Sequence, residues 1–84
     1  MSSNIYVGNL SFQTTTSRLE RLFADYGEVT NAQVITDRDT GRSRGFGFVE
    51  MKSIDQADSA ISALNGREVD GRHLKVNIAK PRSS

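Results

Sequence analysis

Two stretches with the period of an α-helix alternate with short runs of strand character, and their order most restricts how this chain can fold. Leu19, Leu22, Phe23 and Tyr26 fall at i, i+3, i+4 and i+7, one face of a helix, with N-cap candidates in Thr14, Thr15 and Thr16 and a stop at Gly27. Ala57, Ala60, Ile61 and Leu64 repeat that spacing behind Ser53-x-x-Gln56, a capping box in which each side chain can serve the other residue's backbone N–H. Ile5-Tyr6-Val7, residues 29–36, residues 45–51 and residues 73–79 have strand character. Between them lie Gly8-Asn9, a polar loop over residues 37–43 and a turn at Val69-Asp70-Gly71. The predicted order is βαββαβ. Right-handed β-α-β crossovers then give an α+β two-layer sandwich, a four-stranded antiparallel sheet with both helices on one face. Eighty-four residues support one core, so the domain is expected over residues 4–80, with residues 81–84 as a short basic tail.

Composition removes several classes of function. The chain has no cysteine and a single histidine, His73, so disulfides, thiolate metal sites, cysteine nucleophiles and histidine clusters are all excluded. No apolar run reaches the ~18 residues of a membrane span, and residues 1–4 lack the head of a signal peptide. A cytoplasmic, monomeric protein with no cofactor, no metal and no membrane contact is expected. Gly41-x-x-x-Gly45-x-Gly47 imitates a phosphate loop but precedes a strand and lacks Gly-Lys-Ser/Thr. Asp37-x-Asp39-x-Gly41 opens like a calcium loop, yet its twelfth position is Phe48. Nothing in the chain supports an enzyme.

Strand parity sorts the side chains into two faces. In residues 45–51, Phe46 and Phe48 share a face with Glu50, whereas Gly47, Val49 and Met51 share the other. A carboxylate resists burial, so Glu50 marks its own face as the wet one. The first strand repeats the pattern, with Ile5 and Val7 inward and Asn4, Tyr6 and Gly8 outward. In the last strand Leu74, Val76 and Ile78 point in while His73, Lys75 and Asn77 point out; in the second, Ala32 and Val34 point in and Gln33 out, with Ile35 also outward. Burying the rings would require burying Glu50, Lys75 and Asn77 and exposing Val49, Leu74 and Val76. Phe12 and Phe23 are instead assigned to the core, the first because it follows a strand and the second because it lies on a helical stripe.

Charge is placed unevenly behind a formal net of +1, from 11 basic and 10 acidic residues. Residues 72–84 carry Arg72, Lys75, Lys80 and Arg82 and no acid, while residues 53–71 carry Arg67 against Asp55, Asp58, Glu68 and Asp70. Three exposed rings on neighbouring strands make a costly apolar patch unless a partner covers it. Beside them lie Arg44, Lys75, Lys80 and Arg82. Flat rings interleaved with cations suit single-stranded nucleic acid, whose bases stack on rings while phosphates meet the positive groups.

Arg44-Gly45-Phe46-Gly47-Phe48-Val49-Glu50-Met51 resembles the eight-residue signature of the RNA-recognition motif family, and Ile5-Tyr6-Val7-Gly8-Asn9-Leu10 resembles its six-residue partner. The chain is similar to the compact single-motif RNA-binding proteins of bacteria and cyanobacteria. The resemblance implies that the two signatures occupy the central strands and that Tyr6 and Phe48 each stack a base. It further implies that Phe46 lies against a sugar or between two residues and that Arg44 pairs with a phosphate. Asn4, Gln33, Lys75, Asn77, Lys80 and Arg82 complete the expected contact set, with backbone groups near Ala79 and Lys80 reading bases. Single-stranded RNA is the implied partner, in post-transcriptional regulation or RNA chaperoning; single-stranded DNA and a protein-interaction module of the same fold are the alternatives. Met51 stands where the family usually has Phe or Tyr, a position that parity turns toward the helices.

Overall fold

The computed structural model describes residues 3–79. Its elements are β1 (Ser3–Gly8), α1 (Thr16–Ala24), β2 (Val29–Thr36), β3 (Ser43–Met51), α2 (Ile54–Leu64), β4 (Glu68–Val69), β5 (Arg72–His73) and β6 (Lys75–Ile78). The main sheet has the order β2-β3-β1-β6 with antiparallel neighbours throughout, so the two signature strands lie at its centre. Helix α1 lies over β2 and β3, and α2 over β1, β3 and β6, which leaves the other face of the sheet without a covering element. The expected two-layer sandwich is what forms.

Local chemistry sets the ends of the helices. Thr15 caps α1, its Oγ1 accepting from the Arg18 N–H at 3.2 Å. Ser53 caps α2 by accepting from the Gln56 N–H at 3.3 Å. The Gln56 side chain does not close the expected box but reaches the Glu28 N–H at 3.0 Å, tying the start of β2 to the helix. At the other end of α2, Asn65 Oδ1 accepts from the Val76 N–H at 3.0 Å and anchors β6.

Ile5, Val7, Leu10, Leu19, Phe23, Val49, Met51, Ala57, Ala60, Leu64, Leu74 and Val76 are all buried between the layers. Met51 is among them, in accord with its parity. Phe12 is the exception to the expected core: it is 66% exposed, and Leu10, at 1%, takes the core position at the end of β1. Leu10 is held there by its N–H, which donates to the Gly45 carbonyl at 2.8 Å. One apolar side chain fills the space under this loop, and the second is left at the rim.

The expected last strand, residues 73–79, is divided. Arg72–His73 pairs with Glu68–Val69 in a small hairpin, and the sheet strand begins only at Lys75. Asp70 at its tip has φ 53°, a left-handed conformation tolerable for Asp, and its carboxylate holds Arg18 (Nη2–Oδ1 3.0 Å, Nε–Oδ2 3.0 Å) and the Thr14 hydroxyl (2.9 Å). The ion pair is half open to water and contributes little. Thr14 is 3% exposed, so its hydroxyl would lose its acceptor in an Asp70→Ala protein. Asp70→Ala is expected to cost ~1–3 kcal/mol in chemical denaturation, and Asp70→Asn, which keeps an acceptor, clearly less.

Candidate nucleic-acid interface

Register turns the uncovered face into ordered rows of side chains. Gln33 on β2 pairs with Phe48 on β3, Phe48 with Tyr6 on β1, and Tyr6 with Asn77 on β6. The next row toward the end of β1 holds Phe46, Gly8 and Lys75, and the row on the opposite side holds Asn31, Glu50 and Asn4. Tyr6, Phe46 and Phe48 form a closed triangle, with centroids 5.9, 6.1 and 6.2 Å apart and tilted or edge-on planes. Phe48 is 41% exposed, and the other two rings are half-buried against their neighbours.

Gly8 explains how Tyr6 lies. A Cβ at Gly8 would meet the Tyr6 hydroxyl at 2.5 Å and ring carbons at 2.8 and 2.9 Å, so the phenol lies flat along the strand over a position that must be bare. Two irregularities re-aim the neighbouring strand. Residues Val29 and Asn31 face Met51 and Glu50, which puts an extra residue, Thr30, in β2, its Oγ1 2.7 Å from Glu50 Oε1. Val34 pairs with Gly47 but Thr36 with Ser43, so β3 bulges through Arg44, Gly45 and Phe46. Gly45 has φ 84°, available to glycine at no steric cost. The polar loop before it is closed by Asp37, whose Oδ1 accepts from the Asp39 and Thr40 N–H groups and whose own N–H donates to the Arg42 carbonyl at 2.7 Å.

The expected site residues are largely brought together. Tyr6, Phe46 and Phe48 stand on the helix-free face, with Asn4, Gln33, Lys75 and Asn77 exposed around them and Arg44 exposed at the bulge. Ala79 differs in detail, because its N–H donates to the Asn4 carbonyl at 2.9 Å and is spent within the sheet. Lys80 and Arg82 lie outside the described residues. No pocket opens among the described residues; the site is a surface. His73, expected outward, is exposed and its Nδ1 donates to the Gly66 carbonyl at 3.0 Å.

Residues that parity could not find lie just beyond Gly8. Asn9, at φ 58°, accepts through Oδ1 from Arg72 Nε at 3.2 Å and Nη2 at 3.1 Å, and donates to the His73 carbonyl at 2.7 Å. The Arg72 guanidinium lies 5.8 Å from the centroid of the Phe12 ring. The signal available in the sequence was the apolar pair Leu10 and Phe12, of which a loop this short buries one.

A four-stranded antiparallel sheet backed by two helices, with clustered rings on its open face and cations beside them, is the arrangement on which RNA-binding sheets of this kind stack bases. The chain belongs to the RNA recognition motif family, whose model matches residues 5–75. RbpE of Nostoc sp. is 58% identical over 79 residues, which are 94% of this chain and 80% of that protein. The crystal structure of RNA-binding protein PG1 superposes with a TM-score of 0.92 at 51% identity, covering 98% of this chain and 99% of that one. A structure described as the Sxl-lethal protein/RNA complex matches with a TM-score of 0.87 at 37% identity, over 92% of this chain and 47% of that one. Against three chloroplast and mitochondrial relatives from spinach and Arabidopsis, 52% to 53% identical, the chain spans only 35%, 27% and 62% of their lengths.

Proposed function

We infer that this protein binds single-stranded RNA across the open face of its sheet, as a monomeric binding module rather than an enzyme. The observation that carries this reading is the triangle of Tyr6, Phe46 and Phe48 on the face that no helix covers. Tyr6 and Phe48 each stack a base, Phe46 lies against a sugar, and Asn4, Gln33 and Asn77 offer hydrogen bonds to base edges from the same rows. Arg44 and Lys75 meet phosphates, joined by Lys80 and Arg82, with residues 4–80 as the binding domain and the last four residues as its basic tail. Two to four nucleotides cross the sheet, and affinity is on the order of micromolar, ~−8 kcal/mol. Single-stranded DNA is a secondary ligand, because stacking is blind to the sugar. Post-transcriptional regulation or RNA chaperoning is the role such shallow, sequence-tolerant contacts suit.

Salt titration of RNA binding tests the electrostatic half. About three neutralised phosphates give a log–log slope near ~−2 for single strands. Lys75→Ala combined with Arg82→Ala is expected to flatten that slope more than it alters base preference; identical slopes before and after would remove these cations from the contact set. Selection from a randomised pool of short RNAs tests the reading as a whole, with an absence of enriched or retained RNA counting against it.

A further inference from the structure

We propose that the Asn65-Gly66 bond is a covalent modification site, at which the asparagine amide is lost through a succinimide when the junction between α2 and β6 opens and which the native fold holds shut. Asparagine before glycine is the pair most prone to this reaction, because no side chain shields the peptide nitrogen that attacks. The chain has five asparagines, and the residues that follow them are Ile5, Leu10, Ala32, Gly66 and Ile78. Asn65 alone therefore precedes a bare nitrogen. It stands at the exposed C-terminal end of α2, where water reaches it.

The reaction needs no partner beyond water. The Gly66 nitrogen gives up its proton and bonds to Asn65 Cγ, and the amide nitrogen takes up a proton and leaves as ammonia. Water then opens the five-membered imide. Cleavage at Cγ leaves aspartate in an unaltered backbone, whereas cleavage at the main-chain carbonyl leaves isoaspartate, in which the chain runs through Cβ and Cγ.

The fold opposes the first step. Ring closure requires the Gly66 nitrogen to swing about the Cα–C bond until it eclipses Cβ. At ψ 122° it lies instead in line with the Asn65 Cα hydrogen, turned away from Cβ. Its N–H donates to the Leu74 carbonyl at 2.8 Å, and Asn65 Oδ1, which must turn with Cγ, accepts from the Val76 N–H at 3.0 Å. The peptides on either side are anchored too: the Asn65 N–H donates to the Ile61 carbonyl at 2.9 Å, and His73 Nδ1 to the Gly66 carbonyl at 3.0 Å. Leu74 and Val76 are buried, so the segment that supplies the two locking contacts moves only when an edge of the core opens. The native protein then reacts at the rate of the open chain multiplied by the fraction open. Aspartate keeps an acceptor for the Val76 N–H. Isoaspartate lengthens the link after α2 by one carbon and displaces that acceptor, so β6 loses its anchor in aged protein.

The test incubates the protein at mildly alkaline pH, folded or in guanidinium chloride, and digests it for mass spectrometry. The peptide carrying residues 65–66 should exchange its amide NH2 for OH at least about tenfold faster in denaturant than in the folded protein. Asn65→Gln, whose extra methylene disfavours the ring, should hold its amide in both conditions. Asn65→Asp should melt with the wild type, whereas the isoaspartyl fraction of protein aged in denaturant and refolded should melt ~4–8 °C lower, the loss of one hydrogen bond in a domain of this size. The proposal is overturned if folded and denatured protein lose the amide at equal rates, if the denatured chain loses it first at another asparagine, or if the isoaspartyl fraction melts with the wild type. No RNA enters the experiment, so its failure leaves the RNA-binding reading untouched.

Discussion

Replacing Phe46 and Phe48 together by alanine is expected to weaken RNA binding by tens-fold or more while the domain remains folded. Stacking contributes ~1–3 kcal/mol per base by alanine substitution, so two independent rings would account for ~2–6 kcal/mol. The rings are not independent: they meet each other at 6.2 Å and both meet Tyr6, so removing one already loosens the seat of the next. The lower end of the range is therefore the appropriate expectation. Stability should change little, because these side chains rest on one another on the open face and not among Leu19, Phe23, Ala57 and Leu64. Fluorescence anisotropy with a labelled RNA, beside a thermal melt of the same protein, separates the two effects. Unchanged affinity in the folded double variant would defeat the assignment of the sheet face as the site.

Gly47→Ala should do the reverse, unsettling the fold from the position between those two rings. A Cβ there would come within 2.5 Å of the Gln33 carbonyl oxygen, 3.1 Å of Val34 Cα and 3.2 Å of a Leu19 methyl. Two of these neighbours are backbone of the adjacent strand and cannot rotate away, so β2 and β3 must separate or α1 must lift. Overpacking of this kind costs ~1–3 kcal/mol and occasionally more. In a domain of this size each kcal/mol corresponds to ~4–8 °C in the melting midpoint. RNA affinity should fall as well, since Gln33 faces Phe48 across the pair of strands that is forced apart. A melting midpoint equal to that of the wild type would show that the sheet accommodates the methyl group. Gly41→Ala is a useful contrast: nothing lies within 4 Å of its added Cβ, and only its φ of 72° opposes the change.

Much of the architecture could be read from periodicity. Leu19 and Phe23, and Ala57, Ala60 and Leu64, are buried as their helical spacing required, and the alternation around Phe46, Phe48 and Glu50 placed the rings on the open face. Glu50 is wet only in part, because Thr30 reaches it from a bulge that the sequence does not announce. Phe12 went against expectation for lack of any period: Leu10 and Phe12 share one loop, and no repeat says which of the two turns inward. The division of the last strand was equally hidden, since Glu68 pairs with His73 and Val69 with Arg72 around a turn whose Asp70 is held by Arg18 of α1 and by Thr14 before it, partners more than fifty positions away.

By itself the chain of residues determined which face of each strand and helix is apolar, and with it the βαββαβ sandwich and the exposed rings. Such alternation is a local property, set by neighbours two to four positions away. Only the tertiary structure decided which cations are neutralised and which stay available, because those partners are distant along the chain. Arg18 meets Asp70 across 52 positions and Arg72 meets Asn9 across 63, and the charge left at the rim follows from that difference.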